Sequence, residues 1–298
     1  MSLNKPVWKL KDWIDINKIN LSALSLNSEA IYFLEENQDK IDWDCLSANS
    51  NLNAIKLLKK NQDKINWKYL SLNPNAIEIL EENQDKINWC YLSRNINAIK
   101  LLEENQDKID WCYLSGNINA IKLLEENQDK IDWGWLSTNP NAIKLLEENQ
   151  DKIDWDCLSR NPNAIELLMK KPEKINWNWL SVNYNAIELL MKNTNKINWS
   201  MLSLNSNANA IKILKENRDR INWRMLSDSP EAIQLLEKNQ DKIDWSKLCE
   251  NPAIFELDYN QMKKNNEIME EELIKEVMKP SRVFKNPDYD YLEVLFGD

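Results

Sequence analysis

Residues 133–154 read WGWLSTNPNAIKLLEENQDKID, and this 22-residue phrase recurs along nearly the whole chain. Its leading tryptophan returns at Trp43, Trp67, Trp89, Trp111, Trp133, Trp155, Trp177, Trp199, Trp223 and Trp245, with Leu21 in the same place in the first copy. The step is 22 residues except from Trp43 to Trp67 and from Trp199 to Trp223, where it is 24. Both insertions fall at one place (SANSNLNAI and SLNSNANAI against SLNPNAI), which is expected to be a loop, because loops absorb changes of length.

Each copy carries two helix signals. In the copy opening at Trp155, Asn161 is placed to cap, Pro162 suits the first helical position, and Ala164, Ile165, Leu167 and Leu168 share a stripe about 160° wide. An asparagine follows this helix in most copies (Asn37, Asn61, Asn83, Asn105 and onward) and is expected to end it in the left-handed region. The first half opens with Asp or Asn immediately before every repeat tryptophan, an N-cap signature. It predicts a helix such as Trp111 to Ser115, about one and a half turns long, too short to persist without neighbours.

Stacked copies must therefore share their apolar faces, which defines an all-α αα-solenoid. Ten full repeats run from Leu21 to Asp244 and a partial eleventh opens at Trp245. Helical apolar spacing and sparse β-branched residues argue against leucine-rich repeats, which need a strand in each unit. The predicted organisation is an N-terminal cap (1–20) with Trp8 and Trp13, a repeat solenoid (21–257), and a C-terminal capping helix and tail (258–298). The tail helix is predicted from Tyr259 towards Met278, ending before Pro280. Stacked at helix-packing distance, the repeats predict a rod roughly 80 to 100 Å long.

The absence of histidine and the presence of only three glycines remove the commonest general base, the commonest metal ligand and any phosphate-cradling glycine loop. A non-enzymatic protein without cofactor or catalytic metal is the expectation. The serine ladder Ser71, Ser93, Ser115, Ser137 and Ser159 has no oriented base beside it and is read as turn chemistry. A net charge of −10 argues against a nucleic-acid partner, whose affinity would come from Lys and Arg replacing counterions. Five cysteines without CxxC pairing fit thiols in a reducing compartment. No signal peptide or membrane-length apolar run is present, so a soluble intracellular protein is expected.

The repeat LSxNPNAIxLLEENQDKIDW, followed by NPAIFELDY and then EEL and PSR, resembles the tryptophan-rich repeat proteins of giant nucleocytoplasmic large DNA viruses of the mimivirus kind. The resemblance covers nearly the whole chain. It implies a viral protein made in the host cytoplasm, carries no established activity, and is compatible with packaging in the virion. Relatives of this kind carry His before Pro-Ser-Arg, where this chain has Lys279.

A candidate binding face comes from the positions that vary between copies. Two residues after the tryptophan stand Cys45, Tyr69, Tyr91, Tyr113, Trp135, Cys157, Trp179, Met201 and Met225. With Arg94, Arg160 and Arg224 at neighbouring variable positions, Tyr69, Tyr91, Tyr113, Trp135 and Trp179 make an aromatic and basic ladder suited to a protein partner. The competing reading, core packing between short helices, is the one favoured for the aromatics. A lysine row (Lys40, Lys64, Lys86, Lys108, Lys130, Lys152 and onward) is expected to pair with nearby acids such as Glu103, Glu104 and Asp107. The function expected is a protein–protein interaction scaffold or adaptor; a structural component of the virus particle and an RNA- or DNA-binding repeat protein are the alternatives.

Overall fold

The computed structural model describes residues 7–277, so tail residues 278–298, with PSR and Lys279, and the first six residues lie outside the described part. Within it the chain forms two compact units, residues 11–255 and residues 7–10 with 256–277. In the smaller unit a strand, β1 (Trp8–Leu10), pairs with β2 (Phe255–Leu257), Lys9 meets Glu256 at 3.3 Å, and a helix runs from Tyr259 to Val277.

The larger unit is an all-α solenoid of tryptophan-containing repeats. We number the repeats 1 (from Leu21) to 11 (from Trp245). Repeat 6 shows the pattern: a short helix Trp133–Thr138, a second helix Ile143–Glu148, and a single 3-10 turn Gln150–Lys152 leading to the next repeat. Asp132 opens the short helix, its Oδ1 accepting from the Trp135 N–H at 2.9 Å. Leu136, Leu145, Leu146 and Ala142 are almost completely buried and form the core between the two helices, as their equivalents do in the other repeats.

Three local expectations are corrected. The asparagine after the second helix is not left-handed: Asn105 has φ −134° and ψ 50° and ends the helix by donating from Nδ2 to the Leu101 carbonyl at 3.0 Å. The two-residue insertions do not loop out. They extend the second helix to nine residues (Leu52–Lys60 and Ala208–Glu216), capped by Asn51 and Asn207. The repeat tryptophans are only partly buried, and most are covered by the row's cation in the following connection: Lys64 lies 4.5 Å from the Trp43 ring centroid, Lys108 4.4 Å from Trp89 and Lys152 4.6 Å from Trp133, whereas Trp155 takes Lys171 at 5.3 Å in place of Lys174. The lysine row thus stacks on indoles instead of pairing with acids. Lys40, whose repeat-1 partner position is Leu21, pairs with Asp39 at 2.9 Å instead.

Neighbouring repeats are stitched by buried polar side chains that the sequence presents as turn formers. Ser137 donates to the Trp133 carbonyl at 2.7 Å and accepts from the Asp154 N–H of the next repeat at 3.1 Å. Asn139 lies 1% exposed and donates from Nδ2 to the carbonyls of Ser115 (3.2 Å) and Asn117 (2.9 Å) in the previous repeat, while its Oδ1 accepts from the Asn141 N–H at 3.0 Å. Asn141 adds a bond to the Ile118 carbonyl at 2.8 Å. No buried side-chain nitrogen or oxygen among the described residues lacks a partner, as burial of such groups requires.

The same stitching joins the two ends of this unit. Asn27 of repeat 1 donates to the carbonyls of Cys249 and Asn251 in repeat 11, both at 3.0 Å. Lys18 lies 4.9 Å from the Trp245 ring, and the Asn20 N–H reaches the Cys249 Sγ at 3.3 Å, with Cys249 standing where the other repeats have serine. Repeat 1 therefore follows repeat 11 as any repeat follows its predecessor, and the stack is a closed ring instead of a rod. Eleven equal steps close a circle at roughly 33° per repeat. The short helices of consecutive repeats approach each other most closely, so they line the inner face, and the second helices fan outward.

Candidate functional site

Closure gathers the variable positions. The second and fifth residues after each tryptophan project from the inner short helices, while Leu136 and its equivalents, three after the tryptophan, turn into the core. The aromatic positions are accordingly not core: Tyr69 is 37% and Trp135 36% exposed, and Tyr91, Tyr113 and Trp179 are half-buried. This reverses the expectation of core packing, for which the fully buried leucines beside them leave no room.

These side chains form stacks that cross repeat boundaries. Tyr69 and Tyr91 meet edge to face at 6.3 Å, with the Lys68 ammonium 5.0 Å from the Tyr91 ring. The Tyr91 phenol beside it raises the pKa of the Lys68 ammonium. Tyr113 and Trp135 meet at 5.8 Å, and the Arg94 guanidinium lies 5.6 Å from the first ring and 5.3 Å from the second. Arg160 lies 4.7 Å from the Trp179 ring. Such contacts hold a guanidinium plane in place while leaving its edge donors free.

One inner-face cavity of about 380 Å³ is lined by Leu72, Arg94, Gly116, Trp135, Thr138 and Arg160, drawn from five consecutive repeats. Gly116 matters here: a Cβ in its place would meet the Trp135 Cε3 at 3.2 Å, so the missing side chain lets the indole lie flat against the wall. Of the eight residues proposed from sequence, Arg94, Trp135 and Arg160 share this cavity. Tyr113 joins them through its contacts with Arg94 and Trp135, and Trp179 through Arg160. Tyr69 and Tyr91 form a separate pair. Arg224 stands apart in a second cavity with Met225, Asp228 and Lys247, and its Nε lies 3.5 Å from Asp244.

That second region is of mixed charge, with Arg224 paired to Asp244 and Lys247 to Glu250 at 3.1 Å. Burial and the nearby Glu250 raise the pKa of Asp228, and Glu250 also acts on Cys45, two repeats further round the ring. Burial and the carboxylates of Asp42 and Asp44 push the Cys45 thiol up to about 11. Cys90, partly buried and donating from Sγ to Asp110 at 3.0 Å, is likewise pushed up to about 11. These thiols are poor nucleophiles at neutral pH. Among the described residues the inner wall thus has an aromatic arc with unpaired arginines in repeats 3 to 8 and a stretch of paired, mixed charge in repeats 10 and 11.

A wider groove of about 540 Å³ lies on the outer face, lined in part by Ile187, Met191, Asn209 and Ile213. It arises where the lengthened helix Ala208–Glu216 overhangs the five-residue Ile187–Met191 before it. Among the described residues no helix is long and apolar enough to cross a membrane, and no cluster of three or more His, Cys, Asp or Glu side chains could hold a metal ion. Compared with protein-family models, curated proteins and solved structures, the chain has no match in any of the three.

Proposed function

We propose that this protein is a non-enzymatic binding ring, a scaffold or adaptor whose inner face holds a protein partner. The observation that carries this reading is the segregation of variation. The stitching positions repeat almost unchanged, whereas the exposed positions differ from copy to copy and supply Tyr69, Tyr113, Trp135, Trp179, Arg94 and Arg160 to one concave wall. Aromatic and arginine side chains are the residues that most often anchor protein interfaces. The resemblance to giant-virus repeat proteins supports a virus-encoded adaptor acting in the host cytoplasm on a host or viral protein. Incorporation into the particle is the alternative that purified virions would reveal.

The test is affinity capture of three tagged forms from nuclease-treated and untreated infected-cell lysate: the natural chain, Tyr113→Ala/Trp135→Ala on the inner face, and Met169→Ala/Met191→Ala on the exposed outer helices. A partner set that survives nuclease and the outer change but is lost with the inner one supports the reading. Equal recovery by all three forms overturns it, and loss on nuclease treatment turns it towards a nucleic-acid reader.

A further inference from the structure

Arg94 and Arg160 lie three repeats apart in sequence yet line one cavity, because closure of the ring curves the inner wall towards itself. Among the described residues neither guanidinium forms an ion pair, and neither donates a side-chain hydrogen bond; their contacts are with the faces of Tyr113, Trp135 and Trp179. Arg224, by contrast, is paired with Asp244. The nearby carboxylates Asp110, Asp132 and Asp154 are engaged as helix caps, accepting from the Tyr113, Trp135 and Cys157 N–H groups at 3.2, 2.9 and 2.9 Å. Two forked, stacked cations with open donors around one small cavity match a doubly charged anion better than a single carboxylate, since each guanidinium can take two oxygens.

The remaining lining selects what carries that anion. The part of the Trp135 indole left exposed beside Arg94 and Gly116 joins Leu72 in an apolar wall, and Thr138 lies beside it with its hydroxyl spent on the Trp135 carbonyl at 2.8 Å. A cavity of about 380 Å³ falls at the small end of ligand sites, roughly 300 to 1,000 Å³. It suits one side chain or one small molecule and excludes a folded domain. A long polyanion is disfavoured by the net charge of −10.

We propose that this cavity is a recognition site for a phosphorylated aromatic side chain of the partner, with Arg94 and Arg160 clamping the phosphate monoester and the exposed part of Trp135 packing with Leu72 against the ring. This rests on the inner face being the partner-binding face and names the group that it recognises. Phosphorylation supplies a charge near −2 at neutral pH and three acceptor oxygens, which is what the two open guanidiniums lack.

The test is calorimetric titration of the full chain with a short peptide bearing phosphotyrosine, its unphosphorylated twin, a phosphoserine version, adenosine monophosphate and inorganic phosphate. The expected result is that the phosphotyrosine peptide binds at least tenfold more tightly than the other two peptides and both small phosphates. Arg94→Ala and Arg160→Ala should each cost a further tenfold or more, with Arg224→Ala unchanged. Equal binding of phosphorylated and unphosphorylated peptides, preference for adenosine monophosphate, or indifference to both arginine changes overturns the proposal. A partner captured through the inner face whose binding survives phosphatase treatment would sink the phosphate site and leave the scaffold reading standing. If no captured partner depends on the inner face, the scaffold reading itself fails.

Discussion

Asn27 and Cys249 stand 222 residues apart, and the Asn27 amide donates to the Cys249 carbonyl at 3.0 Å with the geometry that Asn139 uses towards Ser115 in the middle of the chain. The contact makes an end-to-end seam equivalent to an internal one.

Asn27→Ala should therefore be about as destabilising as Asn139→Ala. Each change removes a buried amide and leaves two carbonyls and one backbone N–H without that partner, a loss of about 2 to 4 kcal/mol. Urea unfolding of both variants is the check. A rod with free ends would show the loss for Asn139→Ala and almost none for Asn27→Ala.

One seam is thinner than the rest. Repeat 10 has Ser229 and Glu231 where repeat 9 has the two stitching asparagines Asn205 and Asn207 and repeat 11 keeps the first, Asn251; Ser229 turns its hydroxyl to Glu231 at 3.3 Å instead of bridging to repeat 9. What crosses there includes the bond from the Asn222 N–H to Ser203 Oγ at 3.1 Å, its amide to Ser200 at 3.3 Å, and Arg220 on Trp199 at 4.9 Å. Hydrogen exchange read by mass spectrometry should open first on either side of this seam. Ser229→Asn should slow that exchange and add about 1 kcal/mol of stability.

The indole and ammonium pairs make a separable contribution. Trp133→Ala should cost about 2 kcal/mol, below the 3 to 5 of a core aromatic, because the ring is only partly buried. Lys152→Met should cost about 0.5 to 1 kcal/mol through loss of the stacked charge. A double-mutant cycle should return a coupling of that size between the two; additive losses would show that the 4.6 Å contact carries no energy.

Cys45 and Cys90 should be slow to alkylate. With both thiols pushed up to about 11, the thiolate at pH 8 is roughly a hundredfold scarcer than for an ordinary cysteine, and rates should keep climbing about tenfold per pH unit until they level off near 11. Asp110→Asn should speed Cys90 and leave Cys45 unchanged, because it removes the acceptor and the charge that disfavour that thiolate. Mass-spectrometric labelling at several pH values resolves the two sites.

The repeat, its two helices and their caps were legible because the 22-residue period and the Asp or Asn before each tryptophan are local signals with local causes. Closure was not. It depends on a few tens of degrees of rotation per repeat, set by Ser137-type and Asn139-type bonds between repeats, and in sequence those residues are indistinguishable from turn formers. The insertions read as loops because length variation usually falls there, whereas Asn51 and Asn207 supply a new cap and let the helix begin a turn earlier. The ladder residues were found by their variability, but their exposure was not readable: the second residue after the tryptophan lies beside the buried leucine, and only the curvature of the wall decides which of the two faces outward. That Arg94 and Arg160 would share a cavity followed from closure, and so could not be seen without it.

The closed ring also constrains how such a protein can change over generations. An open stack gains or loses copies by duplication or deletion with little penalty, since a new unit merely lengthens the row. Here a twelfth copy would have to alter the angle at every junction or break the Asn27 contact, so copy number is held at eleven as firmly as any buried residue. Innovation is channelled instead into the two or three letters of each copy that face the hole.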